Sequence, residues 1–162
     1  MQVAACRLTM RRMAHWLVKT EPDVYSIDDL SRDRDTDWTG VRNYQARNFL
    51  KEMAVLDRVL IYHSNAEPSG VVGIGSIAAK AAPDKTQFER SSEYFDPKAT
   101  KDSPRWFCPK VRFVKKLRRL VPLEELRRSK ELAGLLLLQP GTRLSVIPVS
   151  EKHFKAIVAL GS

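Results

Sequence analysis

The chain has 162 residues, 43% of them apolar and 29% charged, with a net charge of +9. That length suits one domain with a substantial core, and the composition is ordinary for a globular chain. No apolar run reaches the ~18 residues a membrane-spanning helix needs. Two cysteines, Cys6 and Cys108, are too few for a disulfide framework, so a reducing, cytoplasmic setting is expected.

Residues 1–13 carry Arg7, Arg11 and Arg12 without an apolar stretch of signal-peptide length. They read as a disordered extension or as a start upstream of Met13, leaving a single domain over 14–162. "HWLVKT" predicts a short strand, with Trp16 and Val18 facing one way and Leu17 and Lys19 the other. "EPDVYS" is a turn. Ser26 and Asp29 form a capping box for a short helix through Leu30. "SRDRDTD" reads as a polar loop. Asn43 then caps a helix whose apolar positions Ala46, Phe49, Leu50 and Met53 follow helical spacing.

"DRVLIYHS" predicts a strand with Val59, Ile61 and His63 on one face, and Leu60, Tyr62 and Ser64 on the other. "NAEPSG" turns the chain into "VVGIGSIAAKAA", a long strand. Gly73 and Gly75 within it suggest a bend or a close approach by another backbone. Residues 83–105 form a long irregular stretch, too poor in apolar residues for a core of its own and too aromatic for a simple linker. "WFCPKVRFVKKLRRL" predicts a strand kinked near Pro109. A helix follows with Pro122 at its first position, then the strand "RLSVIPV" and a helix capped by Ser150, with Phe154, Ile157 and Val158 inward. Regular βαβ alternation is absent, so a mostly antiparallel barrel with flanking helices, of α+β class, is expected.

The charge is concentrated. Residues 110–130 hold nine lysines and arginines against Glu124 and Glu125. Such a stripe is either a nucleic-acid footprint or a solvated face. Within it Lys110, Arg112, Lys115, Lys116, Arg118 and Arg119 are the candidate phosphate contacts.

Catalytic patterns are sparse. His15, His63 and His153 are scattered, neither cysteine has a CxxC partner, and no metal or cofactor is expected. "GVVGIG" lacks the lysine of a phosphate-binding loop, and Cys108 reads as a buried thiol rather than a nucleophile served by His63. What remains is aromatic and amide chemistry. Trp16, Trp38 and Trp106 stand beside polar or turn residues, Ser64 and Asn65 end a strand, and Arg42 and Asn43 open a helix. A nucleobase drawn out of its stack needs flat π surfaces for its faces and hydrogen-bonding groups for its edge. Each residue also has a plainer role: Trp16 in the core, Asn43 as a cap, His63 as a buried or rim histidine, Lys19 toward solvent.

The stretches "HWLVKTEPDVYSIDDL", "WTGVRNYQARNFLKEM", "DRVLIYHSN", "GVVGIGSIAAKAAPDKTQF", "YFDPKATKDSPRW" and "RLSVIPVS" resemble, in order, the EVE domain family, over about residues 15–160. The chain looks like a bacterial single-domain member. The resemblance implies a PUA-like distorted β-barrel and kinship with YTH domains, which hold a methylated adenine in an aromatic cage. It further implies a non-enzymatic reader of a modified base in DNA or RNA, such as 5-methylcytosine, 5-hydroxymethylcytosine or a methylated adenine. The positions matching its pocket motifs are Lys19, Thr20 and Glu21; Trp38, Val41, Arg42 and Asn43; His63, Ser64 and Asn65; and Trp106. The competing readings are an enzyme acting on a modified base or nucleotide, with Glu21 as general base, and a small-molecule or protein interaction module using the same pocket.

Overall fold

The structure, a computed structural model, describes residues 11–162. Most of the expected N-terminal extension, including Arg7 and Cys6, therefore lies outside the described residues. Arg11 reaches back to the core, with its guanidinium 3.3 Å from the buried Asp57 carboxylate.

Six strands form one sheet in the spatial order β2-β5-β4-β3-β1-β6. In chain order they are β1 (His15–Thr20), β2 (Asp35–Asp37), β3 (Arg58–His63), β4 (Gly70–Pro83), β5 (Phe107–Pro122) and β6 (Val146–Val149). β1 runs parallel to β3, and the other pairings are antiparallel. The edge strands β2 and β6 do not pair with each other, so the sheet is mixed and open where a barrel was expected. Both edge strands are short, at three and four residues. Helix α2 (Tyr44–Glu52) occupies the intervening space and packs against both β5 and β6.

The two-residue repeat of the strands sorts side chains into two cores, one on each face of the sheet. Trp16, Val18, Val59 and Ile61 join Trp38, Leu50 and Met53 beneath α2 and α1 (Ile27–Asp33). Leu17, Leu60 and Tyr62 join Leu117, Leu126 and Ile157 beneath α3 (Leu123–Arg128) and α4 (Glu151–Leu160). Both faces of β1 and β3 are thus covered, and a one-residue slip in register would exchange the two cores.

Local chemistry sets the element ends. Ser26 accepts from Asp29 N–H and the Asp29 carboxylate accepts from Ser26 N–H, completing the capping box. Asn43 and Ser150 cap α2 and α4 through Ala46 N–H and His153 N–H. Pro122 lies one residue before α3 rather than inside it. The close approach expected at the β4 glycines is real at Gly73. A Cβ there would sit 2.5 Å from Ile27 Cδ1, so this glycine lets α1 dock onto the sheet. The polar stretch read as a loop contains the end of α1 and all of β2. Strand β2 exists by pairing with Lys110–Arg112 of β5, a tertiary cause that its own sequence does not carry.

Candidate functional site

The C-terminal ends of β1 and β3 lie side by side, with Ser64 N–H donating to Thr20 O at 3.0 Å. Beside them opens a cavity of about 680 Å3, lined by Lys19, Thr20, Glu21, Val24, Tyr25, residues 36–42, Ser64, Glu93, Tyr94, Arg143 and Ser145. That volume is in the range of small-ligand clefts, ~300–1,000 Å3.

Three aromatic rings stand at its wall. Trp38 is only 7% exposed and belongs to the core cluster, so it is floor and core at once. Tyr25 meets it edge to face, with centroids 6.3 Å apart at 89°, and its hydroxyl donates to Asp33. Tyr94 closes the opposite side, packed on Gly40. A Cβ at Gly40 would lie 2.8 Å from the Tyr94 ring, and its φ of +88° also favours glycine.

Polar groups complete the lining. Lys19 Nζ lies 5.7 Å from the centre of the Tyr62 ring, and burial lowers its pKa. Asn65, in a left-handed conformation (φ 48°), donates its side-chain amide to Glu21 Oε1 at 2.6 Å and orients that carboxylate. Thr20 Oγ1 donates to Tyr25 O, closing the turn between them.

A buried ion pair holds the wall in place. Asp84 is fully buried, and its Oδ2 accepts from Gly40 N–H at 2.9 Å and from Arg42 at 3.0 Å. Its Oδ1 accepts from Thr86 N–H and Thr86 Oγ1. Burial pushes the Asp84 carboxyl up, but the bonds from Thr86, Gly40 and Arg42 together hold it below the usual carboxylate range. Arg42 also donates to Val41 O, Thr86 Oγ1 and twice to Tyr94 O, which commits all of its N–H groups. It therefore lines the cavity as a clamp joining residues 40–42 to residues 84–94, with no donor left for a ligand. Gln87, fully buried, bonds to Asp84 O and Trp106 O and accepts from the N–H groups of Arg105 and Trp106.

The structure thus brings Lys19, Thr20, Glu21, Trp38, Val41, Arg42 and Ser64 together at one cavity. It places Asn43, His63, Asn65 and Trp106 outside the lining. Asn43 is occupied as a helix cap, and His63 Nε2 accepts from Ile27 N–H at 3.1 Å. Trp106, expected among the pocket residues, lies on the other side of Arg42 from Tyr94 and donates from Nε1 to Asp96 at 2.8 Å. Sequence reasoning misses Tyr25, Tyr94 and Arg143. The aromatic richness of the irregular stretch is the signal for Tyr94; for Arg143 there is none.

The basic stripe on β5 is less free than its sequence suggests. Lys110 lies 3.9 Å from Asp37, Arg112 3.7 Å from Asp35 and Lys116 2.8 Å from Asp28, and Arg119 is paired with Glu125. Lys115 and Arg118 have no carboxylate within ion-pair distance among the described residues. Cys108 is buried, with its thiol pushed up to about 12 by desolvation, which suits a packing role. Among the described residues no cluster of His, Cys, Asp or Glu could hold a metal, and no helix is long and apolar enough to cross a membrane.

A mixed sheet with an aromatic, polar-edged cavity at the ends of its parallel strands gives this α+β domain its candidate ligand site. The EVE domain family profile matches residues 14–160, and the chain belongs to that family. Mouse thymocyte nuclear protein 1 is 40% identical over 164 residues, covering 90% of this chain and 73% of that one. A solved structure from Pseudomonas syringae superposes with a TM-score of 0.90 at 44% identity, covering 92% of this chain and all of the other. The human THYN1 protein, solved in complex with DNA containing 5-methylcytosine, superposes with a TM-score of 0.86 at 36% identity, covering 92% and 98%.

Proposed function

We propose that this domain is a non-enzymatic reader of a modified base in DNA, and that the base enters the cavity between Trp38, Tyr25 and Tyr94. The observation that carries this reading is the cavity itself: three rings converge on a space edged by Lys19, Glu21 and Ser64. Rings supply stacking at ~1–3 kcal/mol per base, and the edge groups supply donors and acceptors. The human relative solved with methylcytosine-containing DNA supports the same ligand class. Burying one added methyl gives about 0.8 kcal/mol, roughly a fourfold preference.

The test is fluorescence anisotropy with paired oligonucleotides, modified and unmodified, in DNA and RNA. Trp38 is too deep in the core for truncation to alanine to leave the fold intact, since such a change costs ~3–5 kcal/mol. Tyr94→Ala and Trp38→Phe are the sounder probes. Both should lower affinity for the modified DNA and shrink its ratio to the unmodified strand. Unchanged affinity and ratio in both would refute the assignment. Mass spectrometry of nucleosides after incubation should find no product, and turnover would favour an enzyme.

A further inference from the structure

The groups that clamp the pocket also build a continuous stack leading away from it. Arg42 Cζ lies 5.5 Å from the centre of the Tyr94 ring on the cavity side and 5.5 Å from that of Trp106 on the other. Trp106 stacks on Tyr44 with centroids 4.8 Å apart at 30°, and Arg47 Cζ lies 4.8 Å from the Tyr44 ring centre. The stack ends on an outward face of α2, where Tyr44 is 52% exposed.

That face is cationic. Arg47 and Lys51 stand three and seven residues after Tyr44, on the same side of the helix. Residues 105–107 run alongside it. Arg105 donates to the Tyr44 hydroxyl at 3.4 Å, Arg47 donates to Arg105 O at 3.0 Å, and Lys51 Nζ lies 4.5 Å from the Phe107 ring centre. None of Arg47, Lys51 and Arg105 has a carboxylate within ion-pair distance among the described residues. The neighbouring Asp96 feels Arg105 but accepts from Trp106 Nε1. On β5, four of the six cations singled out from sequence face carboxylates. Free cations beside an exposed ring suit a phosphodiester backbone; cations already paired do not.

We infer that the DNA backbone flanking the bound base docks on this α2 face, through Arg47, Lys51 and Arg105 with Tyr44 beside them, rather than along β5. This rests on the base-reader proposal above. From Tyr44 to Lys51 the helix rises about 10 Å, enough to meet successive phosphates of one strand. The stack through Arg42 joins this face to the pocket wall, so a strand whose base enters the cavity lays its neighbouring phosphates across α2.

The test is the salt dependence of anisotropy-measured binding to a methylated DNA duplex by the full chain. For every phosphate that the protein no longer neutralises, the log–log slope should fall by about 0.9. The variants are Arg47→Ala/Lys51→Ala/Arg105→Ala on and beside α2, the fold-conservative Lys51→Glu alone, and Lys115→Ala/Arg118→Ala on β5, each with its circular dichroism checked. The α2 variants should flatten the slope and weaken modified and unmodified DNA equally, leaving their ratio intact, while the β5 variant keeps the wild-type slope. A flattened slope for the β5 variant with Lys51→Glu unchanged would overturn the inference. Tyr94→Ala and Trp38→Phe separate the two proposals: if both leave affinity and ratio unchanged while the α2 variants still flatten the slope, the base-reader assignment falls and the backbone surface stands. Absence of DNA binding by the wild-type protein would overturn both.

Discussion

Replacing Asp84 with asparagine keeps the side chain's shape and removes its charge. Asparagine can still present an oxygen to Thr86, but its amide nitrogen then faces Gly40 N–H and the Arg42 guanidinium, two donors that now meet a donor. Two charge-assisted bonds disappear, at ~1.5–3 kcal/mol each. Removing one partner of a buried pair costs ~3–5 kcal/mol. Arg42 retains 21% side-chain exposure and can recover some hydration, so the lower end applies, about 3 kcal/mol. For a domain of this size that corresponds to a melting temperature lower by about 6–12 °C. Urea and thermal unfolding followed by circular dichroism measure it. A variant within about 0.5 kcal/mol of wild type would refute the view that this ion pair anchors the pocket wall, because ordinary surface substitutions fall in that band.

Acid should act on the same protein in two windows. Burial lowers the pKa of His63, whose neutral Nε2 accepts from Ile27 N–H, so its contribution is complete above about 6.5 and is lost as pH falls through the depressed value. Urea unfolding from pH 8 to 5 should show this loss, reduced in His63→Gln; His15, also lowered by burial, leaves a remainder. Asp84 is likewise depressed, so its contribution is complete above about 3.9 and lost as pH falls further; Asp84→Asn should flatten that lower limb. Gly40→Ala should cost about 1–3 kcal/mol from its left-handed backbone and displace the Tyr94 ring, lowering DNA affinity as well. In a Cys6→Ser background, Cys108 should react with a thiol reagent at pH 8 only after urea is added, and a fast native reaction would contradict its burial.

The two-residue alternation in β1 and β3 was legible because both strands lie between two cores and each face selects its own side chains. The caps at Ser26, Asn43 and Ser150 were legible because capping is local chemistry. Strand β2 and the open edge were not, since a three-residue polar strand exists only by pairing with β5. Within the site, Trp38 is identified from sequence, whereas Trp106 is expected at the pocket and lies outside its lining. Its flanking residues suggest a loop boundary equally well for either side, and only the bonds of Gln87 and Asp96 fix which way the ring turns. The charge stripe misleads for a similar reason: the carboxylates Asp28, Asp35 and Asp37 that meet it come from α1 and β2, 73 to 88 residues earlier in the chain.

The seating of β1 between β3 and β6 has a consequence for synthesis. Lys19 N–H is satisfied by Ser145 O, and Val18 pairs with Val146, so one margin of the cavity is supplied by residues made long after β1. The three rings of the wall all lie within residues 25–94, but β1 waits with an unpaired edge until β6 arrives. A nascent chain is therefore blind to its ligand until β6 has emerged, and a product truncated before residue 145 exposes a bare strand edge in place of a finished pocket.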